Sequence, residues 1–403
     1  MRSVLFWIHL AAGVVAGLVI LLMSATGVLL TYEKQLLAWS DRTAAAASAA
    51  ADAPRRPVEE LIAAVQTAEP SAAITGVTVS AVDGAPALVT IGQRTIAVNA
   101  YTGAVLGEAS PQLRTFFRSV TAWHRWLGVE AQGAGRDVAR LFTGWGNLLF
   151  LVIILLGPIL WIPRTWTRAQ LRTVTLFKGG LRGKARDFNW HNVIGIWCVV
   201  PLILIVASAL PMSFPWANAA LYQMAGETPP EVGRGVQAPR DRAGSDTRRG
   251  GGRRSDRRVD RADAASQTLN ALWQRAERDV ENWRSISLRL PNDGNAPVTF
   301  TIDRGTGGQP QLRNTLTIDR STGDVIRSET FDTQTLGRRL RTFARFAHTG
   351  EFFGIAGQTI AGLASAGAVV LTWTGVALAL RRFGAWRKRR RDRGLVVAQT
   401  SAA

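Results

Sequence analysis

The sequence predicts an α-helical membrane protein with four transmembrane helices. They form a parallel internal duplication, with two small α+β units on the periplasmic side. Three observations carry that prediction. Four apolar runs, at roughly 4–31, 140–163, 190–214 and 358–382, can each cross a hydrocarbon core of about 30 Å. Two other stretches, between runs one and two and between runs three and four, read as a helix followed by alternating strands. The four histidines, His9, His124, His191 and His348, each introduce an apolar run or stand just inside one.

The first run starts at Val4 and reaches Thr31. A secretory signal has an apolar region of only about 7–15 residues and a small-residue cleavage site. No such site precedes Tyr32-Glu33-Lys34, so residues 1–35 are expected to be a retained helix. Residues 36–112 form the first α+β unit. A helix begins at Pro57-Val58, strands follow at 76–79, 87–91 and 94–98, and the unit closes through a Thr102-Gly103 turn. Residues 113–165 hold an interfacial segment and the second span, and 166–187 form a basic loop.

The third span lies in 188–216. Residues 217–263 lead out of it and include an Arg/Gly/Asp-rich stretch, 231–264, whose composition predicts disorder. The second α+β unit, 264–332, has a helix near 265–280 and strands near 284–289, 297–303 and 312–318, and closes through Thr322-Gly323. An interfacial segment and the fourth span fill 333–385, and 386–403 is a basic tail. Residues 1–165 and 188–385 thus share one order of parts, starting on the same side of the membrane. That predicts a pseudo-two-fold axis along the membrane normal.

Charge orients the chain. The 163–187 loop carries Arg164, Arg168, Arg172, Lys178, Arg182, Lys184 and Arg186 against Asp187 alone, and the C-terminus is equally basic. By the positive-inside rule the loop and both termini are cytoplasmic. In a bacterial inner membrane the two α+β units are then periplasmic. The net charge of +19 flanks apolar runs or sits in the polar loop and forms no aromatic-interleaved face, so nucleic acid is not an expected partner. The single cysteine, Cys198, excludes a disulfide framework and cysteine-ligated metal sites. No phosphate loop, dinucleotide fingerprint, zinc-protease helix or nucleophile elbow is present, and Arg248–Arg254 follows no strand and opens no helix.

An imidazole at membrane depth is costly and usually functional. The topology puts His9 and His191 near the cytoplasmic face and His124 and His348 near the outer face. Two histidines at one depth on facing helices suit a six-coordinate haem, so His9/His191 and His124/His348 are read as two bis-histidine iron sites. Gly13, Gly195 and Gly128 each follow a histidine by four residues, the spacing of one helix face, where a missing side chain leaves room for a porphyrin. His348 has Phe352 at that position, with Gly350 and Gly354 on either side, which predicts an irregular segment. Arg125, Arg341 and Arg345 stand near the outer pair and Lys184 and Arg186 near the inner pair as partners for haem carboxylates. Trp7, Trp123, Trp126, Trp190, Phe343 and Phe346 are candidate walls. Other readings stay open: interfacial anchoring by His and Trp, glycines serving helix packing, a zinc site, which would need three or four convergent ligands, and a proton relay.

The chain resembles the PepSY-associated transmembrane family over nearly its whole length. The likeness rests on Trp7-Ile8-His9 with Ser24-Ala25-Thr26-Gly27, Trp123-His124-Arg125-Trp126-Leu127-Gly128, Leu160-Trp161-Ile162-Pro163-Arg164, Trp190-His191 and Ala347-His348-Thr349-Gly350. The Asn99–Gly103 and Asp319–Gly323 turns are similar to PepSY-domain endings, whereas Ser208-Ala209-Leu210-Pro211 departs from a usual Thr-Gly. The family includes inner-membrane ferric-siderophore reductases that bind two b-type haems. The resemblance therefore implies a haem-dependent oxidoreductase, with haem b carried on His9, His191, His124 and His348. Its implied substrate is a ferric chelate and its electron donor is unidentified. PepSY domains are also linked to peptidase inhibition, which implies the alternative: a non-enzymatic, membrane-tethered module that binds or regulates a periplasmic partner.

Overall fold

The computed structural model describes residues 2–45, 54–129, 133–162, 167–230, 267–291, 293 and 296–400. Arg164, the 231–264 stretch expected to be disordered and the Arg248–Arg254 run lie outside the described residues. The chain order is α1 (Arg2–Leu30), α2 (Glu33–Ala45), α3 (Val58–Ala68), β1 (Ile74–Ser80), β2 (Ala87–Ile91), β3 (Arg94–Val98), β4 (Val105–Glu108), α4 (Pro111–Trp126) and α5 (Ala134–Trp161). There follow α6 (Arg168–Thr175), α7 (Gly183–Ser213), α8 (Pro215–Met224), α9 (Leu269–Asp279), β5 (Ser285–Arg289), β6 (Val298–Asp303), β7 (Arg313–Ile318), β8 (Val325–Thr330), α10 (Leu336–His348) and α11 (Gly354–Thr400). The chain divides into two compact units, one of residues 1–37, 111–221 and 340–403 and one of residues 38–110 and 222–339.

Among the described residues the first unit holds four helices long and apolar enough to cross a membrane, centred on α1, α5, α7 and α11. They close into a ring in which α1 packs on α5, α5 on α7, α7 on α11 and α11 back on α1. The helices that carry His9 and His191 are thus diagonal neighbours. Small residues set the crossings, as close helix packing without a hydrophobic driving force requires. A β-carbon at Gly146 would lie 2.6 Å from Val19, one at Gly367 2.6 Å from Cys198 Sγ, and one at Gly362 2.8 Å from Thr31. Cys198 is therefore a packing residue of the α7–α11 crossing. Asp187 at the start of α7 is buried and takes ion pairs from Arg186 and from Arg381 on α11. Asn189 fixes the basic loop beside it, accepting from the Lys178 amide and donating to the Thr173 and Leu176 carbonyls.

The second unit joins what the sequence presents as two separate α+β pieces into one antiparallel sheet of eight strands, in the order β4-β3-β2-β1-β5-β6-β7-β8. The join is β1 on β5, where Thr78 faces Ser287 with their hydroxyls 2.9 Å apart. Gly76 faces Arg289 at the same join, and a β-carbon on it would lie 2.7 Å from the Leu288 carbonyl. Residues alternating along the strands fill the core: Val77, Val89, Ile286, Phe300, Ile302 and Leu316 pack with Leu61 and Val65 of α3 and Leu272 and Trp273 of α9. The opposite parity, Thr78, Ser287, Thr301 and Thr315, forms a cross-strand row of hydroxyl residues.

Candidate functional site: two histidine pairs

All four histidines belong to the first unit, and the fold gathers them two and two. His9 on α1 and His191 on α7 have ring centroids 6.4 Å apart with planes at 85°. His124 on α4 and His348 at the end of α10 have centroids 6.2 Å apart with planes at 51°. Among the described residues no three or more histidine, cysteine, aspartate or glutamate side chains converge on one point.

A neighbouring helix holds the Nδ1 side of His124, His191 and His348. Thr26 Oγ1 on α1 lies 2.9 Å from His124 Nδ1, and Thr374 Oγ1 on α11 lies 3.0 Å from His191 Nδ1. His348 Nδ1 donates to the Ile205 carbonyl of α7 at 2.8 Å. His9 Nδ1 is buried with no acceptor within hydrogen-bonding distance among the described residues, the Ile153 backbone of α5 being its weaker contact. Pro158 lacks the amide that would bond the Ile154 carbonyl, the next one along α5.

The glycines divide. A β-carbon at Gly13 would meet nothing within 4 Å, so the α1 face beside His9 is open. Gly195 stays on the His191 face of α7, in ordinary contact distance of Leu371. Gly128 is placed differently from the other two, outside the helix. The i+4 arithmetic assumes that α4 continues past His124, but the helix ends at Trp126. Leu127 and Gly128 turn left-handed, with φ of 53° and 81°. The Gly128 amide bonds back to the Ala122 carbonyl and closes the helix, and a β-carbon on it would lie 2.9 Å from the Trp123 ring. Its place is a helix stop rather than a cleared face. Two further glycines stand beside the imidazoles: a β-carbon at Gly27 would meet His124 Cε1 and one at Gly375 would meet His191 Cε1.

Cations cluster at the outer pair. Arg125 lies over Trp126, 4.7 Å from the ring centroid, and Arg345 lies over Phe346 at 5.5 Å. Burial, then the neighbouring charges of Arg345, Arg140 and Arg136, push the Arg125 guanidinium below its ordinary value. Such a group gains from an anionic partner. At the inner pair Arg186 is committed to Asp187, while Arg382, which the sequence reading passed over, lies over Phe6 and Trp7 at 4.8 and 5.1 Å. Arg341 bonds the Pro211 carbonyl and Asn218. Trp7 and Trp123 are half exposed, and Phe343 packs on Phe352 with centroids 4.9 Å apart.

The side chains beside the histidines that sequence reasoning did not single out are Thr26 and Thr374. Their signal was present as a Thr-Gly pair in span one and again in span four, Thr26-Gly27 and Thr374-Gly375. No curated protein matches the chain. The model of the family described as the PepSY-associated TM region matches residues 6–382, and the chain belongs to that family.

Proposed function

We propose that the chain is a di-haem b-type electron-transfer protein of a bacterial inner membrane that reduces a ferric chelate, such as a ferric siderophore, and releases iron(II). The observation that carries this reading is the repeated ring separation of 6.4 and 6.2 Å. Imidazole nitrogens bind first-row metals at about 2.0–2.1 Å, so rings about 6–6.5 Å apart would leave room for one iron between them. A direct hydrogen bond between the rings would bring them roughly 1 Å closer. The engaged Nδ1 atoms leave Nε2 as the nitrogen for the metal in His124, His191 and His348.

Haem bound at each pair would supply reversible one-electron iron chemistry. The chain would supply the rest. His9 and His191 ligate at the cytoplasmic level, and His124 and His348 at the outer level. Gly13 and Gly195 keep the inner helix faces narrow, and Arg125 and Arg345 offer charge to the carboxylates of the outer macrocycle. The bonding pattern supports the internal duplication as well. Span one serves the outer histidine of its own half through Thr26, and span three does so through the Ile205 carbonyl. Span four serves His191 through Thr374, and span two approaches His9 through Ile153. Exchanging spans one and two with three and four maps each contact onto its counterpart. Basic residues at the 167–187 loop and the end of α11 support cytoplasmic termini and a periplasmic place for the eight-stranded sheet.

A membrane-tethered, non-enzymatic PepSY module is the competing reading. The continuous sheet with its polar row, a large surface for a periplasmic partner, favours it. One measurement separates the two. Purified protein should carry two haems per chain and show b-type bands in a reduced-minus-oxidised spectrum, and His9→Ala or His124→Ala should each remove about half the haem. A colourless protein sinks the electron-transfer reading and leaves the binding module.

A further inference from the structure

We infer that Thr26 and Thr374 are positioning residues that fix His124 and His191 as Nδ1–H tautomers, so that each ring presents an Nε2 lone pair to its partner histidine. The inference deepens the di-haem reading and rests on it for the iron alone, since the tautomer follows from the hydrogen bonds of the two threonines.

A hydroxyl has one proton and two lone pairs. Thr26 Oγ1 lies 2.7 Å from the Leu22 carbonyl and 3.1 Å from the Met23 carbonyl of its own helix. Carbonyls only accept, so the hydroxyl proton goes to them. The oxygen can then act toward His124 Nδ1, 2.9 Å away, only as an acceptor. The proton between them belongs to the imidazole. Thr374 repeats the arrangement, with the Val370 and Leu371 carbonyls at 2.8 and 3.1 Å and His191 Nδ1 at 3.0 Å. A neutral imidazole with its proton on Nδ1 carries its lone pair on Nε2, the form that can ligate a metal.

Both threonines are buried, at 7% and 1% exposure, so water does not compete for the oxygen. Each is followed by a glycine beside the Cε1 edge of the same ring: a β-carbon would lie 3.7 Å from that edge at Gly27 and 3.3 Å at Gly375. In both places the hydroxyl takes Nδ1, and at Gly375 the missing β-carbon also admits Cε1, whereas at Gly27 a β-carbon would be in ordinary contact. In each histidine pair the second ring has no side-chain acceptor on Nδ1: His348 turns to the Ile205 carbonyl, and His9 Nδ1 has no hydrogen-bond partner among the described residues. Side-chain substitution can therefore adjust one ligand of each pair. An acceptor on Nδ1–H raises the basicity of Nε2 and favours the ferric state of iron bound there.

The test uses full-length protein labelled with 15N-histidine and studied by solid-state NMR, first free of haem and then loaded. In the haem-free wild type His124 and His191 should be Nδ1–H tautomers. Either ring found protonated on Nε2 overturns the proposal, with no variant needed. In loaded protein Thr26→Val should raise the midpoint potential of the outer haem only and Thr374→Val that of the inner haem only. Roughly tenfold weaker haem retention should accompany each change. Thr26→Ser and Thr374→Ser should restore both properties. Unchanged tautomer and potential in the valine variants, or no rescue by serine, would refute a positioning role. If the wild type binds no haem, the electron-transfer reading fails while the tautomer result still decides this one.

Discussion

Gly375 on α11 stands against Cε1 of His191 on α7, so close that a β-carbon there would lie 3.3 Å from it. The corresponding contact of Gly27 on α1 with His124 is looser, at 3.7 Å. The difference predicts an asymmetric pair of substitutions. Gly27→Ala adds an ordinary van der Waals contact and should leave haem content unchanged. Gly375→Ala requires His191 to give by a few tenths of an ångström, and Gly375→Val should displace the ring. The expected result is a haem-to-protein ratio close to wild type for Gly27→Ala and about half of it for Gly375→Val, with the outer site intact. Full haem content in Gly375→Val would show that the ring does not depend on that gap.

Glu59 on α3 clasps the start of α9 in the second unit. Its carboxylate accepts from the Leu269 amide at 2.5 Å and from Asn270 Nδ2 at 2.8 Å, and its own amide donates to Asn270 Oδ1 at 3.2 Å. The clasp links helices from the two halves of the sheet, 210 residues apart in sequence. Glu59→Ala removes the two bonds accepted by its carboxylate and should destabilise the helix pair by about 1–3 kcal/mol. Hydrogen exchange over 268–279 should accelerate accordingly. In a double-mutant cycle with Asn270→Ala the two losses should be strongly non-additive.

Much of this was legible in the sequence, and for identifiable reasons. Span length and strand alternation are local signals, so the four apolar helices and the strands of both α+β pieces could be placed from composition and period alone. The grouping of His9 with His191 and of His124 with His348 followed from depth, which the order of spans determines. The β1–β5 join carries no such signal. Thr78 and Ser287 are 209 residues apart, and nothing local says that two half-sheets share an edge. Gly128 was misplaced because i+4 spacing presumes an unbroken helix, while Leu127 takes a left-handed φ that glycine or asparagine more commonly adopts. Thr26 and Thr374 stayed hidden because a threonine within an apolar run ordinarily bonds its own helix, and these two do so as well.

The turn after His348 gives a sharper structural test. Gly350 is left-handed, with φ of 74°, and its backbone meets Gly357 of α11 so closely that a β-carbon would clash with the Gly357 carbonyl. Gly354 turns again at φ of 66°, and one 3-10 turn, Glu351–Phe353, lies between them. This double bend carries the chain from α10 into α11. Gly350→Ala meets both the left-handed penalty of about 1–2 kcal/mol and the clash. It should lower thermal stability and remove the outer haem while sparing the inner one. Gly157→Ala, placed in open space on α5, is the control and should fold like the wild type.

The last prediction concerns acid. Glu227 holds the first turn of α10: its carboxylate accepts from the Gly337 amide at 3.0 Å and from the Thr335 hydroxyl at 2.8 Å. The Gly337 amide first, then the Thr335 hydroxyl, hold its titration below the ordinary value of 4.5. A carboxyl whose folded value is depressed contributes stability that is present above the ordinary value and lost as pH falls through the folded one. The α10 N-terminus should therefore keep its protection from neutral pH down to about 4.5 and loosen below it. Hydrogen exchange across 335–341, corrected for the intrinsic pH dependence of exchange, reads this directly. Glu227→Gln cannot ionise, so it should show weaker protection at neutral pH and no acid limb. An acid limb that persists in Glu227→Gln would assign the loosening to another carboxyl, with Glu329, which pairs with Arg338 on the same helix, the next to substitute.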